Sequence, residues 1–452
     1  MVEVNQYDKM TKTPIPSLII KMSIPTIISM LVTNIYNLAD TAFVGQLGNS
    51  ASGAVGIVFG FMAVIQALGF MFGQGSGSIV SRSLGEKDDE RACRFASIAF
   101  FSSLLAGVIL EIVTFLFMNP IVELLGSSPT IAPYAKKYIT CILFATPFMI
   151  SSFVLNNILR YEGKAALGMI GLLVGAIINI GADPLFMFVF DLGIMGAGIA
   201  TAFSQCISFL ILLWMFLCGK TQCKISIRKI SGNPADLGNI CATGLPSLLR
   251  QGLTSISTML LNSYAVIYGD EAVAAMSIVS RVGMFVFSIG VGIGQGFQPV
   301  SGYNYGAKRY DRLREAFRFT FLLAQGLVVL IGAVVAFFAP ELMKVFRNDP
   351  TVIEIGTRAL RLTCYGLMTF PFSMATEMLL QSTGRRVEAS ILSSLKNGLV
   401  FIPVLVILAN IRGLMGIQEA QPSTYAISLI PSLVFAWCFF RKLPIDNKNQ
   451  SE

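Results

Sequence analysis

The sequence predicts an all-α integral membrane protein with twelve transmembrane helices in two pseudo-symmetric six-helix lobes. Three observations support this fold class: an excess of apolar residues, twelve apolar runs of spanning length, and an internal repeat. Hydrophobic residues make up 54% of the 452 residues and charged residues only 13%, whereas a soluble domain carries about 25% charged residues. So much apolar surface cannot be buried in a water-soluble core, and many of these side chains must face lipid.

Twelve apolar runs are long enough to cross a bilayer, since a spanning helix needs about 20 residues. They lie at 17–45, 51–81, 92–118, 132–156, 165–190, 194–218, 239–268, 272–302, 314–339, 352–380, 387–411 and 417–440. Pro25 in the first run predicts a bend, because proline removes a backbone hydrogen bond inside a helix.

The distribution of positive charge predicts the orientation and the domain bounds. Most of the 33 lysines and arginines fall in alternate loops, an asymmetry that places those loops and both termini in the cytoplasm. The predicted order is a cytoplasmic N-terminal segment, an N-lobe, a cytoplasmic linker, a C-lobe and a cytoplasmic tail, at 1–16, 17–218, 219–238, 239–440 and 441–452 respectively.

The two halves of the chain repeat with a constant shift of 221 residues. The coinciding positions include Pro25 and Pro246, Gly48 and Gly269, Gly163 and Gly384, and the Gly-Gln-Gly segments at 73–75 and 294–296. Because each copy contains an even number of spans, both copies have the same orientation in the membrane. Some alternating-access transporters use this arrangement, with the substrate site between the halves.

The composition argues against several classes of function. The chain has no histidine, the commonest metal ligand and acid–base group. Its eight cysteines include no Cys-x-x-Cys pair, so we expect no disulfide framework. The basic residues lie between apolar runs, which argues against a nucleic-acid surface. Gly219-Lys220-Thr221 lacks the glycine that begins a nucleotide-binding loop, since Trp214 stands there, so we expect neither ATP use nor an enzyme.

Polar side chains of the first half fall at one depth within three different spans. The helical rise places Asp40, Asp183 and Thr201 roughly 8–11 Å inside the outer boundary, and Asn179 lies one turn before Asp183 on the same face. Ionisable groups at such depth are costly and are functional candidates by default. Their oxygen atoms suit a proton or a hard cation such as Na⁺. The alternative is a hydrogen-bonded cluster that only ties helices together.

The repeat favours the functional interpretation of this cluster. The position equivalent to Asp40 in the second half is Leu261, so the scaffold itself does not require an acid there. Further side chains within spans could shape a cavity, act at a hinge or form ion pairs for packing. These candidates are Pro25, Asn34, Tyr36, Phe43, Arg281 and Glu377.

Several short segments, in a fixed order along nearly the whole chain, carry a family resemblance. They are Pro25, Asn34, the run Asp40 to Gly45, the two Gly-Gln-Gly segments, Asn179 with Asp183-Pro184, and the run Gly193 to Thr201. On these motifs the chain resembles the multidrug and toxic compound extrusion (MATE) family, in its DinF-like bacterial branch, near the MepA-type exporters.

The resemblance implies a MATE-like fold whose central cavity opens alternately to the two sides of the membrane. It implies export of amphipathic, often cationic, small molecules in exchange for H⁺ or Na⁺, with a cation site at the positions of Asp40, Asn179, Asp183 and Thr201. We further expect a monomer in the bacterial inner membrane, with no cofactor besides the coupling ion. Two alternatives stay open: a flippase for lipid-linked saccharides, and a membrane scaffold without transport activity.

Overall fold

The computed structural model describes residues 6–444, and within this range it consists of helices and connecting turns without a strand. In chain order the α-helices are α1 Gln6–Lys12, α2 Ile15–Gly45, α3 Asn49–Gly85, α4 Asp89–Leu116, α5 Met118–Leu124, α6 Ala132–Tyr161, α7 Ala165–Pro184, α8 Gly193–Leu217, α9 Pro234–Val266, α10 Asp270–Gly306, α11 Tyr310–Phe337, α12 Ala339–Phe346, α13 Pro350–Leu367, α14 Phe370–Ser382, α15 Arg386–Ser394, α16 Phe401–Arg412 and α17 Leu414–Lys442. Two π-helical turns, Leu185–Val189 and Leu395–Leu399, follow α7 and α15.

The all-α membrane fold is confirmed. Ten helical segments in the described range are long and apolar enough to cross a membrane. The other two predicted runs correspond to α9 and to the pair α13 and α14, which are not among these ten segments. The sequence predicted one uninterrupted run at 352–380, but the helix is broken at 368–369, just before Pro371. Proline cannot donate the backbone hydrogen bond that would continue the helix.

The helices repeat with the same shift as the sequence. Helices α3 and α10 are both 37 residues long, and α4 and α11 are both 28 residues long. Unusual backbone angles recur as well, with φ of 82° and 85° at Gly163 and Gly384, and of 62° and 55° at Lys87 and Lys308. A positive φ is uncommon for a residue other than glycine. Its recurrence at both lysines indicates that the loop geometry is duplicated with the helices.

The chain forms two compact units whose divisions fall inside helices. The first-half unit is Ile28–Gln251, and the second-half unit combines Met1–Ile27 with Gly252–Glu452. The divisions therefore lie within α2 and α9, shortly after Pro25 and Pro246 respectively. The lobes predicted at 17–218 and 239–440 have their boundaries in loops and not inside helices. The units differ from those lobes because the leading parts of α2 and α9 pack with helices of the other repeat.

Close packing at glycine residues explains why the leading parts of α2 and α9 belong to these units. In the second-half unit the leading part of α2 lies on α10, where the Thr26 hydroxyl donates to the Gly292 carbonyl over 2.6 Å. In the first-half unit the leading part of α9 lies on α3, and a Cβ atom at Gly75 would come within 2.2 Å of the Ile240 carbonyl. Beside it the Ser247 hydroxyl donates to Gln74 over 2.6 Å. The Gly-Gln-Gly segments are thus places of close helix contact.

Candidate functional site

Three of the four predicted site residues meet at the contact between α7 and α8. The side-chain amide of Asn179 donates to Oδ1 of Asp183 over 3.3 Å and to Oγ1 of Thr201 over 3.4 Å. All three side chains are buried, with Asp183 fully inaccessible. Asn179 and Asp183 are four residues apart and therefore share one face of α7. That face is the one turned toward Thr201 on α8.

The fourth residue, Asp40 on α2, joins this group through Tyr138 on α6. The Tyr138 hydroxyl donates to Oδ2 of Asp40 over 3.4 Å and lies 3.4 Å from Oγ1 of Thr201. A phenol has a single hydrogen, so when it donates to Asp40 it can only accept from Thr201. The four predicted residues and Tyr138 together form a polar cluster, called here the acidic cluster, that draws on four helices.

Small residues allow the helices of the acidic cluster to approach one another. A Cβ atom at Gly198 on α8 would lie 2.9 Å from Cβ of Cys141 and 3.2 Å from the Tyr138 carbonyl. This close approach of α8 to α6 brings Thr201, three residues further on, beside the Tyr138 hydroxyl. Helix α7 also approaches α8 closely, since a Cβ atom at Gly175 of α7 would lie 3.0 Å from Cβ of Ser208.

The helix geometry changes directly after Asp183. Pro184 ends α7, and the chain continues as the π-helical turn Leu185–Val189. Proline has no backbone N–H, so one hydrogen bond of the regular helix is missing here. Wider π turns of this kind occur often at functional sites. The acidic side chain thus lies where the backbone departs from the regular α-helix.

The acidic cluster contains three buried oxygen atoms without a hydrogen-bond partner in the described part of the chain. They are Oδ1 of Asp40, Oδ1 of Asn179 and Oδ2 of Asp183. Neither aspartate forms a salt bridge with a described residue. Leaving such an oxygen unpaired costs about 1–3 kcal/mol, and more when it is charged. Donated protons or a bound cation would satisfy these atoms.

The remaining candidates on α2 flank Asp40 or lie further along the helix. Tyr36 lies one turn before Asp40 on α2 and is close enough to interact electrostatically with both Asp40 and Asp183. Asn34 and Phe43 are half-buried on the same helix. Pro25 is buried in the leading part of α2, within the second-half unit.

Arg281 and Glu377 both belong to the second-half unit and have different surroundings. Arg281 is exposed on α10 and forms no salt bridge with a described residue. Glu377 on α14 is buried and forms an ion pair with Lys396, which lies in the π-helical turn after α15. The Lys396 ammonium also lies 5.2 Å from the centre of the Phe370 ring. Glu377 therefore forms a buried ion pair with no net charge, separate from the acidic cluster.

Tyr138 is the site residue that sequence analysis missed. It is 3% exposed and lies among many buried residues of α6, so it resembles an ordinary core residue. One signal could have identified it. Tyr138 lies six residues from the start of α6 at Ala132, so the helical rise gives it a depth of roughly 9 Å, like that of the predicted set.

The residues of the acidic cluster suit a monovalent cation or protons better than a transition metal. No group of three or more His, Cys, Asp and Glu in the described residues could hold a metal ion. The cluster offers two carboxyl groups, one amide and two hydroxyls. Neutral and acidic oxygen ligands in this mixture are typical partners of hard cations.

Comparison with known proteins gives one family. The MatE family profile matches residues 25–185 and 246–407, which together make up more than half of the chain. The two matches begin at the positions of Pro25 and Pro246, so the family profile itself reproduces the internal repeat.

Relatives and solved structures agree with this match over nearly the full length. The chain is 28% identical over 431 residues to the multidrug export protein MepA of Staphylococcus haemolyticus, and the alignment covers 95% of each chain. It is 26% identical over 443 residues to MepA of Staphylococcus aureus strain N315, and this alignment covers 98% of each chain. A crystal structure of MATE in complex with MaL6 has a TM-score of 0.92 and 27% identity, covering 97% of this chain and 99% of that one.

Proposed function

We propose, since this chain belongs to the MatE family of multidrug efflux transporters, that it exports amphipathic, often cationic, small molecules in exchange for H⁺ or Na⁺. The chain is a membrane transporter and not an enzyme.

The observation that carries the proposal is the set of unpartnered oxygens in the acidic cluster. Asp183 is buried and Asp40 is half-buried with a buried Oδ1 atom, and neither carboxyl group is balanced by a described lysine or arginine. Two unbalanced negative charges in a low-dielectric interior are strongly unfavourable. Either one or both carboxyl groups hold a proton, or a cation lies between them. Both cases make the occupancy of the cluster depend on the ion gradient.

Helix α2 connects the acidic cluster to the second-half unit. Asp40 lies in the part of α2 that belongs to the first-half unit, while Pro25 lies in the part that belongs to the second-half unit. A change in the position of Asp40 on ion binding would therefore act on a helix that both units contain. Coupling then requires only that the ion and the exported molecule favour different conformations.

The proposed setting follows from the charge pattern and the family. We place the protein in the bacterial inner membrane as a multi-pass monomer with both termini in the cytoplasm, because most positive charge lies in the corresponding loops. Labelling of single cysteines with a membrane-impermeant reagent checks the orientation, each cysteine being introduced into the N-terminal segment or into the linker at 219–238 of a variant whose eight native cysteines are replaced. Both sites should react in inverted membrane vesicles and not in intact cells.

The test is dye efflux from proteoliposomes under Na⁺ and pH gradients imposed separately. Purified wild-type protein is compared with Asp40→Asn and Asp183→Asn, which keep the side-chain shape and remove the charge. Asp191→Asn is the matched control, because Asp191 is exposed and lies just beyond the π-helical turn.

We expect one of the two gradients to drive efflux by the wild-type protein and by Asp191→Asn. We expect efflux by Asp40→Asn and Asp183→Asn to fall to the level of empty liposomes, because the ion site is lost. Wild-type rates in both of these variants would refute the proposed ion site. Wild-type efflux that neither gradient accelerates would refute antiport itself.

A further inference from the structure

The second-half unit contains a cavity of about 140 Å³ at the place where the repeat would put an acidic cluster. Leu261, the repeat equivalent of Asp40, is one of its lining residues, and so is Gln421, which corresponds to Thr201 at a shift of 220. The second-half unit thus has a cavity at the equivalent place, with an apolar side chain and an amide at the positions where the first half has an acid and a hydroxyl.

The surface of this cavity is mainly apolar, although about half of its lining residues carry polar groups. The apolar wall includes Leu261, Met276, Phe287 and Phe401. Among the described residues of the lining only Lys396 is charged, and its charge is balanced by Glu377 in a buried ion pair. A charged ligand would find no free counter-charge in the lining, and burying it would be costly. The cavity therefore favours an uncharged ligand.

One residue of the wall has an unused hydrogen-bond acceptor. Gln418 on α17 is 4% exposed. Its amide nitrogen donates to the Ile355 carbonyl over 3.3 Å, while its Oε1 atom has no partner in the described part of the chain. A buried carbonyl oxygen without a donor is unfavourable. A ligand with one N–H or O–H group would satisfy it.

The volume sets the size of the ligand. An apolar cavity of about 150 Å³ is large enough for a single aromatic ring such as benzene. We propose that this cavity is a second binding site, separate from the acidic cluster, for an uncharged single-ring aromatic molecule that carries one hydrogen-bond donor. The ring packs against Phe287 and Phe401, and the donor bonds to Oε1 of Gln418. Binding of this kind does not depend on the export function proposed above.

The probes are 4-fluorophenol and 4-fluoroanisole, whose binding to purified full-length protein is followed by ¹⁹F NMR. The two molecules share the fluorinated ring, but only the phenol has a donor. The test variants are Gln418→Met, which removes the acceptor at similar size, and Leu261→Phe, which fills part of the cavity. The control is Gln46→Met, the same substitution at an exposed position beyond α2.

We expect saturable binding of 4-fluorophenol to the wild-type protein and to Gln46→Met, about fivefold to tenfold tighter than that of 4-fluoroanisole. Gln418→Met should remove this preference, and Leu261→Phe should weaken both probes. Equal affinities for the two probes in the wild-type protein would overturn the proposal, whether or not the variants fold. So would the absence of saturable phenol binding, as expected if the cavity holds only water, or an unchanged preference in a folded Gln418→Met protein.

Discussion

The hydroxyl of Tyr138 donates to Oδ2 of Asp40 over 3.4 Å, and this contact joins the carboxyl group of α2 to the polar residues of α7 and α8. Without it, Asp40 would have no hydrogen bond to the rest of the acidic cluster, since its other oxygen has no partner among the described residues. Tyr138 is therefore the residue that links Asp40 to the other members of the acidic cluster.

Replacing Tyr138 with phenylalanine should weaken ion coupling without unfolding the protein. The ring still fills its buried position, but Asp40 loses the hydrogen bond. A hydrogen bond to a charged group contributes about 1.5–3 kcal/mol, so the ion concentration that half-saturates efflux should change by about tenfold or more. The measurement is dye efflux from proteoliposomes as a function of the driving gradient. Tyr134→Phe, at an exposed position one turn earlier on α6, should behave as the wild-type protein. An unchanged half-saturation in Tyr138→Phe would show that the contact is not part of the site.

A methyl group at Gly198 should separate the helices that hold the acidic cluster. It would lie 2.9 Å from Cβ of Cys141, and overpacking of this kind costs about 1–3 kcal/mol. We expect Gly198→Ala to lower both the thermal unfolding temperature in detergent and the efflux rate. Gly181→Ala on α7 is the matched control, because nothing lies within 4 Å of its added Cβ. Equal stability and transport in the two variants would contradict the proposed close packing.

The buried pair of Glu377 and Lys396 should matter for stability and not for ion coupling. Replacing Glu377 with glutamine leaves the Lys396 charge buried without its partner, and such a change costs about 3–5 kcal/mol. The double variant Glu377→Leu/Lys396→Met removes both charges and should regain most of the unfolding temperature. If gradient-driven efflux were lost in a stable double variant, the pair would belong to the coupling machinery.

Glu162, just beyond α6, should make stability depend on pH. Burial raises the pKa of its carboxyl group, although backbone N–H groups of Cys223 and Gln222 in the linker donate to it and oppose this rise. When folding raises the pKa of an acid, the folded state binds the proton more tightly, so stability increases as the pH falls through the folded-state pKa.

We therefore expect the unfolding temperature of the wild-type protein to rise more than that of Glu162→Gln between about pH 8 and pH 5. Glutamine carries no charge at either pH and cannot contribute to this change. Glu123→Gln, at an exposed position of α5, should keep the wild-type pH dependence. Identical pH profiles of Glu162→Gln and the wild-type protein would show that Glu162 does not titrate in this range.

The sequence was sufficient to predict the membrane fold, the repeat and four residues of the acidic cluster. Apolar runs and charge asymmetry depend only on the order of residues, so they can be recognised without coordinates. The depth of Asp40, Asp183 and Thr201 also follows from the order of residues, because helical rise is constant. That these residues act as a cation site stays a prediction.

Other features could not be predicted because they depend on how helices lie side by side. The contribution of Tyr138 requires α6 to lie against α8 at Gly198, and no periodicity in the sequence specifies that pairing. The short helices α5 and α12 were not predicted, because their few apolar residues cannot be distinguished in the sequence from those of the neighbouring spans. The packing of the leading part of α2 on α10 was also not foreseen, because the repeat suggested division in the loops.

The most direct test of the account is the dependence of dye affinity on the coupling ion, measured with purified protein. If ion binding at the acidic cluster is coupled to dye binding, then ion and dye must change each other's affinity by the same factor. We predict that the Kd of a fluorescent cation shifts by about fivefold or more in the wild-type protein when either the pH or the Na⁺ concentration is changed. In Asp40→Asn/Asp183→Asn the Kd should be independent of both. A double variant that still binds the dye with the full wild-type shift would contradict the account.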